Sequence, residues 1–256
     1  MSQQTIHFFY RSTGGDNGKD RPAFHSKMLC LRSFLRAWQP IRLGATLTFI
    51  NDGPMPDDRL QVMSNWGKIV AFPGLGNSPS YRQVLGMATA LPSTDLVYFA
   101  EDDYLYKPEA FSQMLNAFAG LPKVEYITLF DHLDRYTRTD DAGGGRSKVM
   151  LAGDRHWRTV ESTCMTFGAR VGALKRDAWI HRLFTIPRTP RDRHIWRCAQ
   201  GLTYFFWKFP KSRLISPIPS LATHLDPAAL APHTDWAAIA AEVNAEINAP
   251  TNNDIG

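Results

Sequence analysis

Three consecutive carboxylates, Glu101, Asp102 and Asp103, follow the apolar run that begins at Asp95 in DLVYFAEDDYLYKP. Like charges this close repel, so something has to offset them. A hard divalent cation such as Mg2+ or Mn2+ would do so, because it prefers oxygen ligands, binds through one or two carboxylates and takes its other ligands from water and substrate phosphates. The alternative is a solvated turn between strand and helix, with Asp102 or Asp103 near the helix start and favoured by its dipole. The residues alone leave both open.

The elements that would position this cluster are legible in the apolar pattern. TIHFFY at 5–10, ATLTFIND at 45–52, KIVAF at 68–72, DLVYFAED at 95–102 and YITLF at 126–130 read as strands. Met28, Leu31, Phe34, Leu35 and Trp38 recur at helical spacing, as do Tyr81, Val84, Leu85, Ala88 and Leu91. Pro108 suits the first turn of a helix whose apolar face is Phe111, Met114, Leu115 and Phe118. Continuous apolar strands alternating with helices imply an open, mostly parallel α/β sheet covered on both faces. In such sheets ligands bind beyond the carboxyl ends of the strands. That edge gathers Tyr10, Arg11, Asn51, Asp52 and the carboxylate triplet.

The second half is less regular. Short strands are expected around Val160 and Phe167, an extended stretch in RLISPIPSLATHL, and a final helix with Trp236, Ile239, Val243 and Ile247 on one stripe. One domain over 1–256 is expected, divided into a regular first half (1–130), a less regular second half (131–235), a C-terminal helix (236–250) and a frayed tail (251–256).

The chain has 256 residues, 44% of them hydrophobic, enough for a sizeable core. No apolar run approaches a membrane span, and the start lacks the features of a secretory signal, so a cytoplasmic location is expected. Cys30, Cys164 and Cys198 have neither metal-site spacing nor a disulfide framework and read as reduced thiols. A formal charge of +5 and a pI near 9.2 favour an anionic partner. A basic surface could also bring the chain to the inner face of a membrane, although no basic amphipathic helix stands out.

The order of motifs adds to this. FINDGP at 49–54, GLGNSPSYRQVLGMATA at 74–90 and VYFAEDDYLYKPEAF at 97–111 resemble, in that order, the NDGS-like turn, the Gly-rich helix segment and the Asp-x-Asp strand of the family 2 glycosyltransferases of the GT-A fold. CMTFGARVGALKRDAWI is similar to the segment before that family's Glu-Asp motif, PRDRHIWRCA stands in the motif's place, and PIPSLATH resembles the closing strand and histidine. The sequence departs from the pattern at Pro54, Gln83 and Arg191.

The resemblance implies a donor site in which Tyr10, Arg11, Asp52, Arg82 and Asp102 contact a nucleotide-diphosphate sugar, with a UDP-sugar favoured and Asp52 against the base. It implies Mn2+ or Mg2+ held by Asp103, with Glu101 and His224 as further ligands, and Asp192 as the base that activates the acceptor. Arg191, Arg193 and His194 are expected to depress the Asp192 pKa. Asp131 and His132, after the fifth strand, are candidates for the acceptor side, a carbohydrate or lipid-linked hydroxyl; no nucleic-acid partner is expected. The implied activity is a metal-dependent, inverting glycosyl transfer in glycan or polysaccharide synthesis. The alternatives are a catalytically silent sugar- or nucleotide-binding subunit, and a sugar nucleotidyltransferase, for which the GGxGxR loop is missing after the first strand. STGGDNGKD lacks the residues of a phosphate-binding P-loop and reads as a loop beside the donor, with Arg11, Lys19 and Arg21 available to phosphate. TRTDDAGGGRSK at 137–148 is polar and Gly-rich enough for a mobile lid.

Overall fold

The computed structural model describes residues 4–16, 18–137, 147–203 and 211–248. Most of the glycine-rich stretch after Thr137 and the C-terminal tail, for which a lid and fraying are expected, lie outside these residues. In chain order the elements are β1 (Ile6–Ser12), α1 (Lys27–Trp38), a short tight helix at Gln39–Gly44, β2 (Ala45–Asp52), α2 (Asp57–Ser64), β3 (Lys68–Phe72), α3 (Asn77–Ala90), β4 (Leu96–Glu101), β5 (Tyr104–Tyr106) and α4 (Ala110–Gly120). They continue with β6 (Tyr126–Ile127), α5 (Asp134–Thr137), β7 (Val149–Ala152), β8 (Arg155–Thr159), β9 (Phe167–Arg170), α6 (Val171–Phe184), α7 (Asp192–Ala199), β10 (Leu214–Ile218), β11 (Ala222–His224) and α8 (Trp236–Asn248).

Among the described residues, nine strands form one sheet in the order β3-β2-β1-β4-β9-β6-β10-β8-β7, and β11 pairs with β5 in a second. Only β9 and β8 run against the common direction, so the sheet is mixed and mostly parallel. Strand alternation explains why the central strands read as unbroken apolar runs. Phe8, Tyr10, Phe49 and Tyr98 face one core, packed by α1, α4 and α8. Phe9, Ile50, Val97 and Phe99 face the other, packed by α3, α6 and α7. Both faces are buried, so no polar period survives in the sequence.

Two of the boundaries that differ from the sequence expectations have a visible cause. The fifth strand stops at Ile127 because the chain then diverts: Leu129 O accepts hydrogen bonds from Leu221 N and Ala222 N at 2.9 Å, and Phe130 bridges to Ala222. The helix after Pro108 begins at Ala110, with Glu109 as its cap residue. No helix among the described residues is long and apolar enough to cross a membrane.

Candidate functional site

The strand order reverses at β1 and β4, since β2 and β3 are added on one side of β1 and the chain then returns to place β4 on its other side, and a crevice opens there beyond the strand ends. It is a cleft of about 520 Å3 lined by Arg11, Asp52, Glu101, Asp102, Asp103, Asp192 and His224 with their neighbours. This volume is within the usual range of small-molecule sites.

Each carboxylate of the triplet is matched by a cation of the chain itself. Arg11 Nη2 donates to Glu101 at 2.7 Å, Lys27 Nζ to Asp102 at 2.8 Å, and Arg21 Nη2 to Asp103 at 3.0 Å. The repulsion expected from the sequence is therefore offset without another ion. Asp102 also accepts from Ser12 Oγ at 2.7 Å and Thr13 N at 2.9 Å, which fixes the chain leaving β1. Arg59 donates to the carbonyls of Thr13 and Gly14. Gly14 has to be glycine here, since a Cβ would lie 1.9 Å from the Pro54 carbonyl oxygen.

Glu101, expected as a metal ligand, is instead held by Arg11 and by Thr166 Oγ1 at 3.3 Å. Burial lifts its carboxyl above the usual range even with Arg11 beside it. Arg11 spans to α3, donating to Asn77 O at 2.9 Å and Ser80 Oγ at 3.1 Å, so it organises the cleft wall. Arg11 and Arg21, expected to meet phosphate, are engaged in ion pairs, while Lys19 lines the cleft.

His224 reaches Asp103 through strand pairing. It stands opposite Tyr104 in the β5–β11 register, and Leu225 N donates to Asp103 O at 2.9 Å, which leaves His224 Nε2 3.0 Å from Asp103 Oδ2. Burial works to raise the Asp103 pKa, but the hydrogen bonds and charges of His224 and Arg21 outweigh it and hold the carboxyl well below the usual range. Its other oxygen, Oδ1, is buried without a hydrogen-bond partner. Among the described residues no group of three or more His, Cys, Asp or Glu side chains is placed to hold a metal ion. The pair Asp103 and His224, with a carboxylate oxygen that has no hydrogen-bond partner, fits the smaller protein share of a site completed by substrate phosphates and water.

Asp52 accepts backbone hydrogen bonds from Gly74 at 3.1 Å, Leu75 at 2.6 Å and Gly76 at 2.7 Å. It lines the cleft, but most of its acceptor capacity holds the loop before α3. Two expected donor contacts are not in the cleft. Tyr10 is 1% exposed, its ring packed against Phe34 and Phe49, because its strand position faces the core. Arg82 points across α3 to donate to the carbonyl of Thr185, at the end of α6.

Asp192 opens α7, where its Oδ1 accepts the Arg193 N–H at 2.8 Å. Contrary to the expected depression by its basic neighbours, burial raises its pKa, with His194 and the backbone hydrogen bonds pulling the other way more weakly. Asp192 also borders a second, smaller cavity of about 190 Å3, whose wall includes Phe130, His132, Asp134, Arg135 and Thr163. Cys164 lies on both walls as well; burial, with Asp192 nearby, pushes its thiol up to about 12, so it remains protonated. His132 thus borders a cavity next to the cleft. Asp131 does not: it is 1% exposed, accepting from Arg158, Tyr136 and Ser216 Oγ, a buried node that no acceptor reaches.

Lys27, Ser12 and Cys164 were absent from the expected site. Lys27 had one signal in the sequence: a cation in the first turn of α1 opposes the helix dipole and implies a partner carboxylate.

No family model and no curated protein matches the chain. Among solved structures, CMP:2-keto-3-deoxy-manno-octonic acid synthetase, complexed with CTP, is similar at 12% identity and TM-score 0.51, over 95% of this chain and 100% of that one. S. aureus TarS 1-349 is similar at 8% identity and TM-score 0.49 over 82% of this chain, which spans 58% of the TarS chain. The 4-diphosphocytidyl-2C-methyl-D-erythritol synthase of Anaerococcus prevotii is 12% identical at TM-score 0.45, over 95% of this chain and 98% of that one. The likeness is one of fold alone: a mixed, mostly parallel α/β sheet flanked by helices.

Proposed function

We propose that the protein is a glycosyltransferase that moves a sugar from a nucleotide-diphosphate donor to an acceptor hydroxyl, with inversion at the anomeric carbon. The observation that carries this reading is the position of Asp192, on the wall shared by the switch-point cleft and the neighbouring cavity. A donor in the cleft and an acceptor in the second cavity would meet at one carboxylate. A sugar hydroxyl is a weak nucleophile at neutral pH, and a carboxylate within hydrogen-bonding reach accepts its proton as the new bond forms. The acceptor oxygen bonds to the anomeric carbon, the bond from that carbon to phosphate breaks, and nucleoside diphosphate departs with the electron pair.

The remaining residues hold this arrangement. Asp102 and Lys27 fix the turn after β1, Arg11 ties β4 to α3, and Asp52 shapes the loop facing the nucleotide. Asp103 and His224 are the residues that would hold a divalent ion, which, when bound, offsets charge on the diphosphate.

The similarity in fold to the CTP-bound synthetase favours one other reading, a sugar nucleotidyltransferase. Product analysis separates the two. Incubation with nucleotide sugars and simple glycosides, with and without Mn2+, should release nucleoside diphosphate. Pyrophosphate released from a nucleoside triphosphate would support the other reading, and donor binding with neither product would mark a silent binding subunit.

A further inference from the structure

α6 buries Leu174, Ala178 and Ile180 in the core yet carries large apolar side chains on its outer face as well. Trp179 is 44% exposed, Leu183 45% and Ile186, just past the helix end, 71%. Lys175, Trp179, Arg182 and Leu183 fall at positions i, i+4, i+7 and i+8, a single stripe of α6, and Ile186 follows in the turn after its end. Exposed Arg188, Arg191 and His194 continue the basic surface. Between Val171 and His194 no carboxylate is exposed, since Asp177 is buried against Tyr126, Arg176 and Ser212, and Asp192 lies at the cleft. Isolated surface hydrophobics need no explanation, but three on one short stretch interspersed with exposed cations do.

We infer that this face docks on an anionic phospholipid bilayer, with Trp179, Leu183 and Ile186 entering the headgroup boundary and Lys175, Arg182, Arg188 and Arg191 meeting lipid phosphates. Apolar side chains flanked by cations are the composition of interfacial helices, and long basic side chains keep their charge at the headgroups while their stems cover apolar surface. A second copy of the chain is disfavoured as the occupant, because two such faces would set cation against cation. The segment runs directly into Thr189, Pro190 and Asp192 at the cleft, so docking holds the cleft mouth beside the headgroups. Docking does not depend on the transfer reading; if both hold, the acceptor is lipid-linked.

The test is co-sedimentation of the full chain with vesicles of phosphatidylcholine alone or mixed with phosphatidylglycerol. Binding is expected to the mixed vesicles only, and to weaken with salt. Affinity should drop about fivefold for each charge removed in Arg182→Gln with Arg188→Gln. It should also fall for Leu183→Ser with Ile186→Ser, both exposed positions. Thermal unfolding and nucleotide-sugar binding of these variants should match wild type, which keeps this outcome separate from that of the transfer reading. Equal binding to both vesicle types, unchanged binding by the variants, or a lipid-free dimer that the Ser variant dissociates would each overturn the proposal.

Discussion

A carboxylate can accept the acceptor's proton only while it is itself ionised. Burial raises the Asp192 pKa, so the ionised fraction falls as pH drops through a value above that of an ordinary aspartate. Turnover should therefore decline on the acid side earlier than for a solvent-exposed aspartate. Asp192→Asn should lower turnover by roughly 10²- to 10⁴-fold while donor affinity stays near wild type. A retained turnover rate, or a product with retained configuration, would refute the assignment. Asp103→Asn should remove the Mn2+-dependent part of donor binding in titration calorimetry and leave the metal-independent part; equal metal dependence in mutant and wild type would refute it. Asp192, Asp103 and His224, named from the sequence, all line the cleft because they sit at strand or helix ends, where motif order and space coincide. It misplaced Tyr10 and Arg82, since strand parity decides which way Tyr10 faces and a long arginine can follow its helix away from the site.

The loop before α3 depends on a residue from another strand. α3 starts at Gly76 without a side-chain cap of its own, and Asp52 at the end of β2 supplies the negative charge there. Asp52→Ala should cost about 0.5 to 2 kcal/mol of stability, as for loss of a helix cap, and should weaken donor binding through loosening of residues 74–76. Urea denaturation alongside donor titration tests this; a variant weak in binding but unchanged in stability would point to direct base contact instead. β2 and β3 were read to the residue because each is rich in β-branched and aromatic residues and is bounded by glycine or proline within two residues. The two-residue β6 was read too long, because the apolar residues that follow it pack into the small sheet rather than extend the large one. β5, only three residues long, carries no period at all, yet its pairing with β11 is what sets His224 against Asp103.

Across the molecule, the core on the α6 side holds a histidine that cannot easily accept a proton. His181 is fully buried, its Nδ1 2.8 Å from Tyr81 Oη, and burial lowers its pKa to about 4. In the unfolded chain the imidazole binds a proton near pH ~6.5. Between these values the unfolded state holds more protons, so stability should fall as pH is lowered through the window, by roughly 3 kcal/mol at its acid end. Urea unfolding of wild type and His181→Phe at several pH values checks this, and an equal pH slope in both would refute it. The second half of the sheet was the less legible one, since β6 to β10 are two to five residues long and the segments between them carry buried polar groups such as Asp131 and Asp177. The wall common to the two cavities has a practical consequence. A single compound carrying a nucleotide head and, on a short tether, a head fitted to the smaller cavity would engage both at once past Asp192 and Cys164. Its second contact would form at an effective concentration near the millimolar range, so a pair of weak fragments could gain about 10²- to 10⁴-fold when joined.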